Sequence, residues 1–274
     1  MSEQIEIEVA ERPMQVASGT TLHALRERVK PGADVVVYNG AVAGTDLALK
    51  AGDKVVFIRR GETPAADELE ALMAARHTPG VHAVLKGACV GIAGAGGLGS
   101  AIAIALARIG VGRLIIADFD VVEPSNLNRQ QYFVDQLGLL KVEALRDNLA
   151  RINPYVAVEA VALRLTPDNI GDIFASVDVL VEAFDAADQK AMLVESFGRA
   201  YPEKPMVVAS GLAGHASSNS VATRKLGPKL YVVGDLVTGA QPGTGLMAPR
   251  VGIAAHHQAN AALRLLLGEA PEAV

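Results

Sequence analysis

The chain has 274 residues, half of them apolar and a fifth charged, with a net charge of −5. That length suits one large domain, or a large and a small one, with a sizeable core, and the negative charge speaks against nucleic acid as the main partner. The one cysteine, Cys89, excludes an internal disulfide or a multi-cysteine zinc site; with no apolar run of ~18 residues for a membrane span and no signal-peptide pattern in Met-Ser-Glu-Gln-Ile-Glu, the expected location is the cytoplasm, with no membrane partner.

Residues 1–61 read as a small β-rich unit. Apolar residues alternate along 5–9, as in a half-buried strand, and 13–17 is its candidate hairpin partner. A helix begins near Thr21, with Thr20 or Thr21 as N-cap. Residues 35–38 form a strand ending at the turn signal Asn39-Gly40, and 54–58 is the last strand. Strand, strand, helix, strand, strand suits a β-grasp fold.

Residues 62–87 read as a connector, helical over 67–76 and broken at Thr78-Pro79-Gly80. From residue 88 strands and helices alternate: strands over 88–93, 114–117, 156–161, 177–183 and 205–209, helices over 97–109, 134–152, 167–175 and 186–200. This pattern predicts an α/β fold with a Rossmann-like, doubly wound, mostly parallel sheet over residues 88–274. Shorter β-like pieces follow Gly211, then a Gly- and Pro-rich loop over 238–249 and an apolar helix over 251–267.

Gly94, Gly96 and Gly99 satisfy G-x-G-x-x-G between a strand and a helix, and Gly97 lies inside the same turn. Glycine lets backbone approach phosphate, and a helix N-terminus favours negative charge. Asp118 ends the next strand, 19 residues past Gly99, where a carboxylate grips ribose hydroxyls; a solvated strand-end Asp is the bland alternative. Asp120 joins it in the candidate nucleotide site. Asn126 and Arg129 follow in a polar run, and Lys141 comes twelve residues after Arg129. A dehydrogenase has no use for them. Substitution at phosphorus does, because cations neutralise charge on the non-bridging and departing oxygens. Asp185 ends a buried strand at the carboxyl edge of the sheet, as a Mg²⁺ ligand or as the N-cap of the next helix.

These residues, with Val122-Glu123-Pro124-Ser125-Asn126-Leu127-Asn128-Arg129-Gln130, resemble the ThiF/MoeB branch of the E1-like activating enzymes over residues 76–268. The resemblance implies ATP-dependent adenylation of the C-terminal Gly-Gly carboxylate of a separate sulfur-carrier protein. Asp118 would hold the ribose, Arg129 and Lys141 the phosphates, and Asp185 the Mg²⁺. It further implies a homodimer in which an Arg ahead of the glycine turn, best matched by Arg76, acts across the interface. The loop over 239–249 resembles the family's crossover loop, which guides the carrier tail to ATP, and Arg250 beside it either assists or lies at the surface.

Residues 4–61 resemble ThiS-like sulfur carriers, but end Arg60-Gly61-Glu62 rather than in a free Gly-Gly; Glu272-Ala273-Val274 is no carrier tail either. The first unit is expected to be non-reactive: it docks, blocks or braces the enzyme, or only packs. Many family members carry two C-x-x-C pairs for zinc; this chain has none, so no zinc is expected. Without a downstream cysteine, adenylation is expected to proceed without a thioester, sulfur coming from another protein. The expected function is adenylation of a ThiS-type carrier, for thiamine thiazole synthesis. Alternatives are a molybdopterin carrier, a non-protein carboxylate or tRNA base, and a nucleotide-sensing module.

Overall fold

The computed structural model describes residues 3–272. Met1 and Ser2 of the segment read for a leader, and Ala273 and Val274 of the tail, lie outside the described residues. The chain divides into two compact units, Met1–Pro79 and Gly80–Val274.

In the first unit β1 (Gln4–Val9) pairs antiparallel with β2 (Arg12–Ala17) and parallel with β5 (Lys54–Ile58). β3 (Val35–Tyr38) lies antiparallel to β5 and to the two-residue β4 (Ala41–Val42). The order is β2-β1-β5-β3-β4. Asn39 and Gly40, both at positive φ (49° and 85°), turn β3 into β4, the backbone that favours this dipeptide in two-residue hairpins. Helix α1 (Leu22–Val29) starts at Thr21, whose hydroxyl accepts the Ala24 N–H, and buries Leu22 and Leu25 against Ile7, Val16, Val55 and Phe57. Helix α2 (Ala66–Ala74) completes the unit.

The second unit opens with α3 (Val81–Gly87). Its sheet contains β6 (Cys89–Ala93), β7 (Arg113–Ala117), β8 (Ala157–Val161), β9 (Val179–Glu182), β10 (Met206–Ala209), β11 (Ala222–Lys225) and β12 (Leu230–Gly234). The order is β11-β12-β10-β9-β6-β7-β8, parallel except for the β11–β12 pair. One face is covered by α4 (Gly97–Arg108), α5 (Lys141–Ile152) and α8 (Ala248–Leu266). The other is covered by the single turn α6 (Ile170–Ile173) and by α7 (Ala187–Ala200). Strand order reverses between β6 and β9, so the crevice at their carboxyl ends is where such a sheet takes a ligand.

Helix α3 lies in the stretch read as connector, and three of the expected helices differ in extent. The helix expected over 134–152 is a 3-10 turn at Val134–Gln136 followed by α5, because Gly138 takes φ +86° and ends the run. That over 167–175 shrinks to α6. Asn169 turns its side chain back to accept the Thr166 N–H and donate to the Arg164 carbonyl, a local competition typical of Asn. The last helix starts earlier than 251, since Pro249 sits in the first turn of α8, where it costs no hydrogen bond.

The glycine turn is fixed by close approach. A Cβ on Gly99 would lie 1.9 Å from the Gly94 carbonyl oxygen, and Gly94 itself has φ +103°. Gly99→Ala is therefore expected to destabilise the protein by at least about 2 kcal/mol, read as a lower Tm, whereas Gly239→Ala, whose Cβ would meet nothing within 4 Å, should stay within about 0.5 kcal/mol of wild type.

Candidate active site

A cavity of about 460 Å³ opens at the carboxyl ends of β6, β7, β9 and β10. Gly94, Gly96 and Gly97 line it, with Asp118, Asp120, Arg129, Lys141 and Asp185. Gly99 is not in the lining; it lets α4 approach the turn. A Cβ on Gly97 would come within 2.9 Å of Val251.

Asp118 is half-buried, and its carboxylate accepts the N–H groups of Ala95 (2.7 Å) and Asp120 (2.8 Å). Burial pushes its pKa up, against those N–H groups and the Lys141 charge. Lys141 occupies the first position of α5 with its side chain 8% exposed and pairs with Asp120 at 2.8 Å. A cation at a helix N-terminus is unfavourable, and Asp120 offsets this. Arg129 donates through one terminal nitrogen to the Asn128 side chain (2.7 Å) and the Ser125 carbonyl (3.1 Å), leaving its other terminal nitrogen without a protein partner among the described residues.

Asp185 is exposed at the rim, and among the described residues its carboxylate has no hydrogen bond or ion pair. It does not cap α7: Ala186 is the N-cap and makes no side-chain cap bond. Among the described residues no three His, Cys, Asp or Glu side chains form a ready metal cage, but a lone carboxylate facing the cavity fits Mg²⁺, which takes one or two carboxylates together with phosphate oxygens.

Two further expected site residues are outside the lining. Asn126 is buried and outside the lining; its side-chain oxygen accepts the Glu123 N–H at 3.0 Å and holds the 3-10 turn Pro124–Asn126. Its amide is consumed by the turn that presents Arg129. Arg76 belongs to the first unit, follows α2, and stands 84% exposed with Glu11 3.6 Å away. Ser100 is fully buried, donating to the Gly96 carbonyl and accepting the Gln131 N–H, so it braces the turn.

Sequence reasoning passed over Lys190 and Glu182. Lys190 lines the cavity one turn into α7 and donates to both oxygens of Glu182, at 2.8 and 3.0 Å. The Glu182 side chain is fully buried and also accepts the Phe184 and Ala209 N–H groups. Burial drives its pKa up, while the charge and hydrogen bonds of Lys190 oppose the shift. The signal was available: an acid ending an apolar strand needs a buried counter-charge. Arg250 is not at the surface. It is 3% exposed and pairs with Asp235 at 2.6 Å.

Residues 71–274 match the description of the ThiF family. The chain belongs to the ThiF family. Residues 5–61 match a second family, ThiS-like ubiquitin. The adenylyltransferase and sulfurtransferase UBA4 of Kluyveromyces lactis is 32% identical over 222 residues, 77% of this chain and 47% of that protein. The molybdopterin-synthase adenylyltransferase of Escherichia coli is 33% identical over 189 residues, 67% of this chain and 75% of that protein. This ThiF-family chain thus spans about half the length of the UBA4 relative. Among solved structures, the Escherichia coli tRNA N6-threonylcarbamoyladenosine dehydratase TcdA in complex with AMP aligns with TM-score 0.65 at 23% identity, over 72% of this chain and 93% of that one. Escherichia coli MccB with ATP aligns with TM-score 0.52 at 24% identity, over 70% and 59%. At that identity the likeness is one of fold.

Removing Lys190 strands a buried charge. Lys190→Met is expected to cost about 3–5 kcal/mol by chemical denaturation, and the pair Lys190→Met with Glu182→Gln should recover most of that loss. Asp235 gives the acid limb. Burial would raise its pKa, but the Thr238 and Val237 N–H groups, the Thr238 hydroxyl and Arg250 outweigh it and hold it at about 2. Its folded pKa lies below the unfolded value of about 3.9, so its stabilisation is full above that value and is lost as pH falls toward 2. Asp235→Asn should flatten the fall of Tm between about pH 4 and pH 2 relative to wild type.

Proposed function

We propose that this ThiF-family protein is an ATP-dependent adenylyltransferase that activates the C-terminal Gly-Gly carboxylate of a separate ThiS-type sulfur carrier in the cytoplasm. One observation carries the reading. A single cavity gathers a glycine turn at a helix N-terminus, two cations on the β7–α5 side and a carboxylate with no protein partner among the described residues. A hydride-transferring enzyme needs only the first of these.

The chemistry follows from the charges. The carrier carboxylate is ionised at pH 7, with an ordinary pKa of about 3.5, so no general base is required. Its oxygen forms a bond to the α-phosphorus of ATP as the bond to the β-phosphate oxygen breaks. The electron pair leaves with pyrophosphate, and an acyl-adenylate remains. Asp118 receives ribose hydroxyls, and the N–H groups of the glycine turn receive phosphate oxygens. Arg129 and Lys141 neutralise the charge that builds on the phosphates. Catalysis is then positioning and charge stabilisation. Asp185 would hold Mg²⁺, which supplies charge neutralisation on the phosphate oxygens when bound.

The ThiS-like unit favours a thiamine carrier. The 33% identity to a molybdopterin-synthase adenylyltransferase favours a MoaD-type molybdopterin carrier as the second reading. In the first unit Gly61 continues into Glu62, whose N–H bonds back to the Arg59 carbonyl, so no free glycine carboxylate exists there; we read this unit as a non-reactive carrier-like module. With no cysteine in 211–249, sulfur comes from another protein. A homodimer supplying Arg76 to the partner's cavity completes the proposal.

The test is ATP–pyrophosphate exchange with Mg²⁺, with and without a carrier ending in Gly-Gly, comparing ThiS- and MoaD-type carriers. Carrier-dependent exchange, reduced at least about 100-fold in Asp185→Ala and in Arg129→Ala, is expected. Tight ATP binding with no exchange for any carrier would sink the proposal.

A further inference from the structure

One wall of the cavity carries no charged group. It is built from two segments, Gly211, Leu212 and Ala213 after β10, and Thr238, Gly239 and Ala240 after β12. The two are tied together, since the Ala213 N–H reaches the Thr238 carbonyl (3.1 Å) and the Gly214 N–H the Gly245 carbonyl (2.8 Å). Glycine and alanine in both segments, with no cation beside them, suit an extended glycine-rich tail better than a triphosphate.

Arg250, at the third position of α8, spans the flanks of both segments. One terminal nitrogen donates to the Ala216 and Ser217 carbonyls, each at 2.9 Å; the other donates to the Ser220 hydroxyl (3.1 Å) and to Asp235 (2.6 Å). Asp235 in turn accepts the N–H groups of Val237 and Thr238 and the Thr238 hydroxyl. Between them Leu236 takes φ +66°, a backbone that a branched side chain adopts only where its surroundings over-determine it. The Arg250 side chain is buried, and its Nε lacks an acceptor among the described residues. For stability alone an apolar residue serves such a position as well as a buried ion pair. The cation also sits at the positive end of a helix. These costs are concentrated where two loops meet the cavity.

We propose that Arg250, through Asp235, is a positioning residue for the acceptor: it clamps the loop after β10 and the turn after β12 to the start of α8, and so fixes the uncharged wall against which the acceptor's C-terminal tail lies. None of the hydrogen bonds of the clamp goes to the groups assigned to the nucleotide and its Mg²⁺, which lie on the glycine turn, on the β7–α5 side and, for Asp185, between β9 and α7. Its loss therefore separates acceptor binding from ATP binding. The acceptor part rests on the adenylyltransferase reading.

The experiment uses the full chain and the variants Arg250→Met, Asp235→Asn and Arg250→Lys. Three quantities are read: ATP affinity by calorimetry, the KM for a Gly-Gly carrier in pyrophosphate exchange, and the rate of thermolysin cleavage within 236–247. That segment offers Leu236, Val237 and Met247, all exposed, and cutting it needs local opening of the loop. In Arg250→Met and Asp235→Asn, cleavage should quicken about tenfold and carrier KM rise about tenfold to 100-fold, with ATP affinity within about twofold of wild type. Arg250→Lys, which keeps the charge but not the fork, should fall between. Should Arg250→Met fail to fold, Asp235→Asn decides. Unchanged cleavage in the folded variants, or ATP affinity falling in step with carrier KM, overturns the assignment. A wild-type protein without carrier-dependent exchange removes the adenylation reading instead, and the cleavage and ATP arms still decide whether the clamp exists.

Discussion

The buried carboxylate of Glu182 holds the site together. Its side chain receives the N–H of Phe184, the N–H of Ala209 on β10 and the ammonium of Lys190 on α7. Its main-chain carbonyl receives the side-chain amide of Gln258 on α8. One residue at the end of β9 therefore ties two strands and two helices, from both faces of the sheet, at the edge where the cavity opens. Desolvating a carboxylate costs several kcal/mol unless partners restore what water supplied, and here three protein groups do so. Asp185, three residues on, extends from this anchored strand end into solvent.

Charges around the cavity arrive mostly in pairs. Lys141 rests on Asp120, Lys190 on Glu182, and Arg250 on Asp235. Each pair keeps a cation where it is needed without leaving it unpaired in a partly dry pocket. Arg129 differs, for it is held by neutral acceptors and keeps a donor free. Asp185 differs in the opposite sense. Among the described residues Arg129 and Asp185 thus keep unspent capacity of opposite sign, which suits a ligand carrying phosphates together with a cation.

The sequence carried the fold well because the evidence for it is periodic. Continuous apolar runs at 89–93 and 179–181, each followed by a helical pattern, specify parallel strands, and the glycine spacing fixes the turn between β6 and α4. It failed where one residue outweighs a pattern, as at Gly138, where a left-handed backbone breaks an otherwise helical run, and at Asn169, whose side chain replaces a helical hydrogen bond. The site was legible for acids that follow strand ends, such as Asp118 and Asp185, both of which line the cavity. It was less so for Asn126, whose polar side chain serves a turn, and for Lys190 and Arg250, whose partners lie 8 and 15 residues away in sequence and become neighbours only when strands and helices pack.

The antiparallel strand β11 bears on the life of the protein in a crowded solution. A seven-stranded sheet leaves two edges, and an exposed flat edge is a template for strands of other molecules. β11 carries Arg224 and Lys225, the first turned back to the Gly234 carbonyl and the second lying over the Tyr231 ring. At the other edge Glu159 of β8 is held by Arg113. Both borders thus present charge to an incoming chain, and lateral growth into fibrous aggregates is discouraged by the same strands that complete the fold.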